Sequence, residues 1–220
     1  MARRKDQDAR REQLRAAALR TLAEHGVAGT RLKDIATEAG VTSATVLYYY
    51  PAVEDLVLEV LRQAMARFYE RRRQAVEGIP DARERLVATI RAGLPYGRDD
   101  TLARLAWETL PFELRNETVA AFDRVYVERQ TDLYVTVLEI GVAQGHFRLD
   151  GADARTVATN LLALEDHHGL RVLLGWVAAP EDALAPIVAY ASLATGCALP
   201  LAATASAEAA LSLAQDIPED

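Results

Sequence analysis

Apolar residues recur along most of the chain at the three-and-four spacing of amphipathic helices, and alternating runs of Val, Ile and Thr are almost absent. The pattern predicts an all-α protein. A first helix is expected over 9–25, with Leu14, Ala17, Ala18, Leu22 and Ala23 inward and Arg10, Arg11, Arg15 and Arg20 outward. Gly26 ends it. Two short helices follow over 30–50. Thr30 is the expected N-cap of the first, because its hydroxyl can accept an orphan backbone N–H. Leu32, Ile35, Ala36 and Ala39 form its buried stripe, and Gly40 stands where a left-handed C-cap belongs. Thr42 can cap the second, with Val46 and Tyr50 turned inward. Pro51 opens a fourth helix to about 77, carrying Leu56, Val60, Leu61, Ala64 and Phe68 on one face. Arg67, Arg71, Arg72 and Arg73 crowd its far end, where a solvated cluster favoured by the helix dipole is expected.

Further helices are expected over 82–92, 101–113 (capped by Thr101), 117–144 (capped by Asn116), 153–174 and 181–194, separated by Gly- and Pro-bearing turns. This divides the chain into a disordered basic arm (1–8), a helix-turn-helix domain (9–52), a second helical domain (53–201), for which the family resemblance set out below implies ligand binding and dimerisation, and a flexible tail (202–220).

The second short helix leaves short polar groups and aromatic hydroxyls exposed, which suit base edges and phosphates. Arg31, Lys33, Thr42, Ser43, Ala44, Thr45, Tyr48 and Tyr49 are the candidate DNA contacts. Charge supports this placement. The chain carries a net −7, yet residues 1–50 hold nine Arg and Lys against six Asp and Glu. Positive charge therefore gathers at the end that would meet phosphates. The single cysteine, Cys197, excludes an intramolecular disulfide and fits a cytoplasmic location. No apolar run reaches the length of a membrane span, and no signal peptide is expected.

The stretch from Ala23 to Leu61 resembles the N-terminal module of the TetR family of bacterial transcriptional repressors. The resemblance lies in His25-Gly26, Thr30, Asp34-Ile35-Ala36, Ala39-Gly40-Val41-Thr42, Tyr48-Tyr49-Tyr50 and Glu54-Asp55-Leu56. It implies a homodimer joined through the last two long helices. Each subunit would read half of a near-palindromic operator and release it on binding a small-molecule effector. Three positions depart from the family pattern. Leu47 stands where a Tyr is common, Tyr50 where a Phe is common, and Val53 where a phosphate-gripping Lys is common. These departures shift the expected grip toward Arg31, Lys33, Tyr48, Tyr49 and the N-terminal arm.

The second domain holds no motif as sharp. Tyr96, Trp107, Glu108, Phe112, Tyr126, Gln130 and Tyr134 fall where a pocket between helices would lie, and permit a flat or cationic ligand. Glu165-Asp166-His167-His168 sits mid-helix. Glu165 and His168, three apart, can share a face, as part of a pocket or of a dimer interface. No metal or cofactor site is expected, since only His25 and His146 remain as further histidines. A competing interpretation is a helical-bundle enzyme or small-molecule carrier using Glu108, Glu165, His167 or His168 in acid–base work. The absence of a Ser–His or Cys–His arrangement and of a phosphate-binding Gly loop stands against it.

Overall fold

A computed structural model describes residues 2–201 except 109 and 115, and for 2–5, 112, 113 and 118 the backbone only. All regular structure among the described residues is helical: α1 (Ala2–Gly29), α2 (Leu32–Glu38), α3 (Ser43–Tyr49), α4 (Val53–Val76), α5 (Ala82–Gly93), α6 (Thr101–Glu108), α7 (Leu110–Glu113), α8 (Glu117–Ala143), α9 (Ala154–Leu173) and α10 (Pro180–Thr195). The expected helices are present. Where a disordered arm was expected, Ala2–Asp8 continue α1, because no Gly or Pro interrupts a run of good helix formers. The expected tail over 202–220 lies outside the described residues. Among the described residues no helix is long and apolar enough to cross a membrane.

The chain forms two compact units. The first comprises residues up to Ala66 together with Arg104–Ala120, and the second comprises Arg67–Ala103 with the chain from Ala121 onward. The 52/53 boundary expected from sequence thus differs from the observed division, which falls inside α4. A continuous helix with no internal breaker serves both units.

In the first unit α1 packs on α2, and α2 on α3. Leu14, Ala17, Ala18 and Leu22 of α1 meet the predicted stripe of α2, of which Ile35, Ala36 and Ala39 are buried like them and Leu32 is half-buried. Each fully buried Leu or Ile contributes about 1.5–3 kcal/mol. Polar ties fix the packing. Gln13 Nε2 donates to the Ala39 carbonyl at 2.8 Å, and Arg15 pairs with Glu59 of α4.

The core of the second unit lies among α5, α8, α9 and α10. It includes Leu86 and Ile90, Tyr134 and Leu138, Val157 and Leu161, and Leu184 and Ile187. Asp81 caps α5 and Asp153 caps α9, each accepting a first-turn N–H. At α10, Pro180 takes the first helical position and Gly196 closes the helix in the left-handed region.

Candidate DNA interface and a buried charge cluster

The candidate interface is built by two caps and a turn. Gly40 has φ of +63°, a conformation costly for any residue with a Cβ. Its N–H donates to the Thr37 carbonyl and the Val41 N–H to the Ala36 carbonyl, so the end of α2 is satisfied. Thr42 then caps α3 as expected, its Oγ1 accepting the Thr45 N–H at 3.2 Å. The start of α2 differs from expectation. The residue before its first turn is Arg31, and Thr30 instead donates its hydroxyl to the Gly26 carbonyl at 2.7 Å. The Asp34 carboxylate accepts the Arg31 N–H at 3.1 Å, which is the return half of a capping box. A negative side chain in the first turn also suits the helix dipole.

These constraints decide which way α3 faces. Val46 and Tyr50 are buried. Thr42, Ala44 and Tyr48 are exposed, Ser43, Thr45 and Tyr49 are half-buried, and Arg31 and Lys33 are exposed on α2 and its approach. Tyr48 leaves 69% of its surface in solvent and meets Tyr49 edge to face at 5.1 Å. Sequence reasoning did not single out Arg11. Its guanidinium lies 5.3 Å over the Tyr50 ring and donates to the Tyr49 carbonyl at the end of α3. The Tyr50 hydroxyl is buried without a hydrogen-bond partner, and burial pushes its pKa up.

The candidate ligand residues are distributed over both units. Trp107 and Glu108 belong to the first unit, as does Phe112, whose side chain lies outside the described residues. Glu108 accepts the Val27 N–H, next to the non-helical Gly26 inside α1. This carboxylate therefore satisfies backbone at a helix break. Tyr96 belongs to the second unit, where its hydroxyl donates to the Asp99 carbonyl. Its backbone N–H donates to Asp100, which also accepts from Arg71 and the Ala103 N–H. Asp100 thus serves at the start of α6 where Thr101 was expected to cap.

Tyr126, Gln130, Tyr134 and Glu165 do come together, around a residue that sequence reasoning misassigned. Arg72 was expected in a solvated cluster at the end of α4, but its side chain is 1% exposed. Its Nη2 donates to Glu165 Oε1 and its Nη1 to Gln130 Oε1, both at 2.9 Å. The guanidinium lies 4.7 Å over the Tyr134 ring. Tyr134 also donates to Glu165 Oε1, and Gln130 Nε2 donates to the Tyr126 hydroxyl at 2.7 Å. The Arg signal was ambiguous because four arginines lie within seven positions. Helical phase relative to Phe68 and Leu61 was the available clue. Arg73 does meet the expectation, being exposed and paired with Glu70.

The cluster is only partly satisfied. Glu165 Oε2 and Arg72 Nε are buried without hydrogen-bond partners. Burial pushes the Glu165 carboxyl up to about 7, against the opposing pull of Arg72 and Tyr134. The carboxylate also packs against the backbone of α5, where a Cβ on Gly93 would collide with it. Glu165 and His168 share the buried face of α9 as expected, while Asp166 and His167 are exposed. Burial lowers the His168 pKa, and its Nδ1 lies 3.4 Å from Arg171.

Residues 14–60 match the family model for bacterial regulatory proteins, tetR family. The chain is 35% identical over 121 residues to the HTH-type transcriptional regulator BetI of Agrobacterium fabrum, a match covering 55% of this chain and 52% of that protein. It therefore spans about half the length of that relative. It is 27% identical over 148 residues to the HTH-type transcriptional repressor KstR2 of Mycobacterium tuberculosis, covering 65% of this chain and 72% of that one. A transcriptional regulator from Saccharomonospora viridis, solved in complex with choline, superposes with a TM-score of 0.74 at 28% identity, over 82% of this chain and 94% of that one. A TetR transcription regulator from Haloarcula marismortui superposes with a TM-score of 0.75 at 24% identity, over 86% and 99% of the two chains, which bears on the fold. Residues 14–60 thus match the helix-turn-helix module of tetR-family regulators, and the all-α fold of the chain is similar to that of solved transcriptional regulators of this kind.

Proposed function

We propose that the protein is a ligand-responsive repressor that binds a near-palindromic operator as a homodimer and is released by a small-molecule effector. The observation that carries this is the exposed face of α3, held outward by the Gly40 turn and the Thr42 cap. Thr42, Ser43, Ala44, Thr45, Tyr48 and Tyr49 contact DNA from this face, and Arg31 and Lys33 neutralise phosphates. Dimerisation runs through α9 and α10, consistent with the exposed Leu174 and Leu193 at their ends. The first unit carries the DNA-binding function, and the second holds the effector and dimer functions.

The effector site is centred on Tyr126, Gln130, Tyr134 and Glu165, with His168 one turn along α9 and Tyr96 beside Arg71. A cationic effector fits the carboxylate and the tyrosine faces, and choline in the Saccharomonospora viridis neighbour supports that chemistry. The enzyme alternative loses ground because Glu108 and Glu165 are already engaged. Fluorescence anisotropy with DNA from upstream of the protein's own coding sequence tests the proposal. Binding is expected to prefer that sequence over a scrambled duplex and to weaken steeply with salt. Equal affinity for both duplexes would sink it.

A further inference from the structure

The exposed face of α3 carries an apolar patch that the polar candidate contacts do not explain. Leu47 leaves 41% of its surface in solvent, although its neighbour Val46 is fully buried. Ala44, Leu47 and Tyr48 are all exposed, and a spacing of three and four places them on one side of the helix. The burial of Val46 and Tyr50 fixes that side outward. The threonine hydroxyls of the same helix start are already engaged. Thr42 Oγ1 accepts the Thr45 N–H at 3.2 Å and lies 3.0 Å from Thr45 Oγ1. The middle of α3 therefore presents a methyl group, an isobutyl group and the side of a phenol ring. Leucine can neither donate nor accept a hydrogen bond, so it grips no phosphate and pairs with no polar base edge. The major groove offers such a side chain one apolar feature, the C5 methyl group of thymine.

We propose that Leu47 is a specificity-determining residue of the operator contact, and that with Ala44 it reads the C5 methyl group of a thymine in each half-site. This rests on the DNA-binding reading above and names the base feature that α3 selects. Cytosine lacks the methyl group and shows an amino donor on the same edge, which a leucine leaves unpaired. Purines likewise turn polar edges toward an apolar side chain. Covering one methyl group favours thymine by about threefold. Two half-sites read by the proposed homodimer raise this to about tenfold.

The test uses the full chain and the duplex from upstream of its own coding sequence, prepared once with thymine and once with uracil at every thymine position. Uracil keeps all the base-pairing groups and lacks only the methyl group. In anisotropy titrations the wild type is expected to bind the uracil duplex about tenfold more weakly. Leu47→Ala, and Leu47→Gln, which keeps the length without the apolar tip, are expected to shrink that ratio to about threefold or less. Leu47→Met keeps an apolar tip and is expected to retain the wild-type ratio. Changes that uracil makes to DNA shape act on all four proteins alike, so the difference in ratio isolates the Leu47 contact. A wild-type ratio near one, or the same ratio in the wild type, Leu47→Ala and Leu47→Gln, overturns the inference. Failure of the wild type to prefer the thymine duplex over a scrambled one counts against the regulator reading. A clear preference with an unchanged ratio counts against Leu47 alone.

Discussion

The helix-turn-helix and the Arg72 cluster satisfy their polar groups in opposite ways. In the first, nearly every tie is local: Gly40 N–H to Thr37, Val41 N–H to Ala36, Thr45 N–H to Thr42, and Arg31 N–H to Asp34. The partners lie three to five residues apart, and the side chains left over point to solvent. In the second, Arg72 reaches Gln130 and Glu165, 58 and 93 positions away. Arg72, Gln130, Tyr134 and Glu165 are buried there, and two polar atoms remain unpaired. A surface that must meet DNA can be arranged by rigid local turns. The buried cluster draws instead on distant elements and is left incompletely satisfied, which a network assembled by packing rather than by local turns permits.

The strongest way to break the contrast is to remove one partner of the buried pair. Glu165→Ala leaves the Arg72 guanidinium uncompensated and is expected to cost about 3–5 kcal/mol, read from urea melts. The double change Arg72→Met with Glu165→Leu is expected to recover most of that loss. On the exposed side, Tyr48→Ala is expected to weaken operator binding by about 1–3 kcal/mol in anisotropy titrations while leaving the melting temperature unchanged. A matching fall in melting temperature would place Tyr48 in the fold rather than in the interface. Thr42→Ala removes the α3 cap and is expected to cost about 1 kcal/mol of stability.

The pH dependence sharpens the comparison further. The Glu165 carboxyl is raised from about 4.5 to about 7, chiefly by burial, so the folded chain holds that proton more tightly than the unfolded chain. Its contribution is complete below about pH 4.5 and is lost as pH rises through about 7. Denaturant midpoints at roughly pH 5 and pH 8 are expected to differ less in Glu165→Gln than in the wild type. The smallest expected effect is at Tyr50. Its buried hydroxyl has no hydrogen-bond partner, so Tyr50→Phe is expected to change stability by less than about 1 kcal/mol, with melts showing a gain if anything.

Much of the first unit was legible in the sequence. The stripe of Ile35, Ala36 and Ala39, the Gly40 turn, the Thr42 cap and the outward face of α3 follow from spacing and cap chemistry that act within a turn or two. Thr30 and Thr101 show the limit of that logic. Several residues near a helix start can cap it: at α6 the Asp100 carboxylate accepts the Ala103 N–H where Thr101 was expected, and at α2 the cap position falls to Arg31 while Thr30 bonds back to the Gly26 carbonyl. The candidate ligand set was legible only in part. Tyr126, Gln130, Tyr134 and Glu165 share a site because α8 and α9 both meet Arg72. Trp107 and Glu108 belong to the other unit, which no spacing along the chain reveals.

By itself the sequence determined the helices and the outward face of α3, since both rest on short-range periodicity and caps. Tertiary structure decided which partners the buried Arg72 meets, while Arg73, its immediate neighbour, stays exposed. The two residues have identical chemistry, and only their phase on α4 against α8 and α9 separates them. Burial then turns an ordinary arginine into half of a charge pair and lifts the Glu165 carboxyl toward neutrality, because low dielectric and long-range partners exist only once the chain has packed.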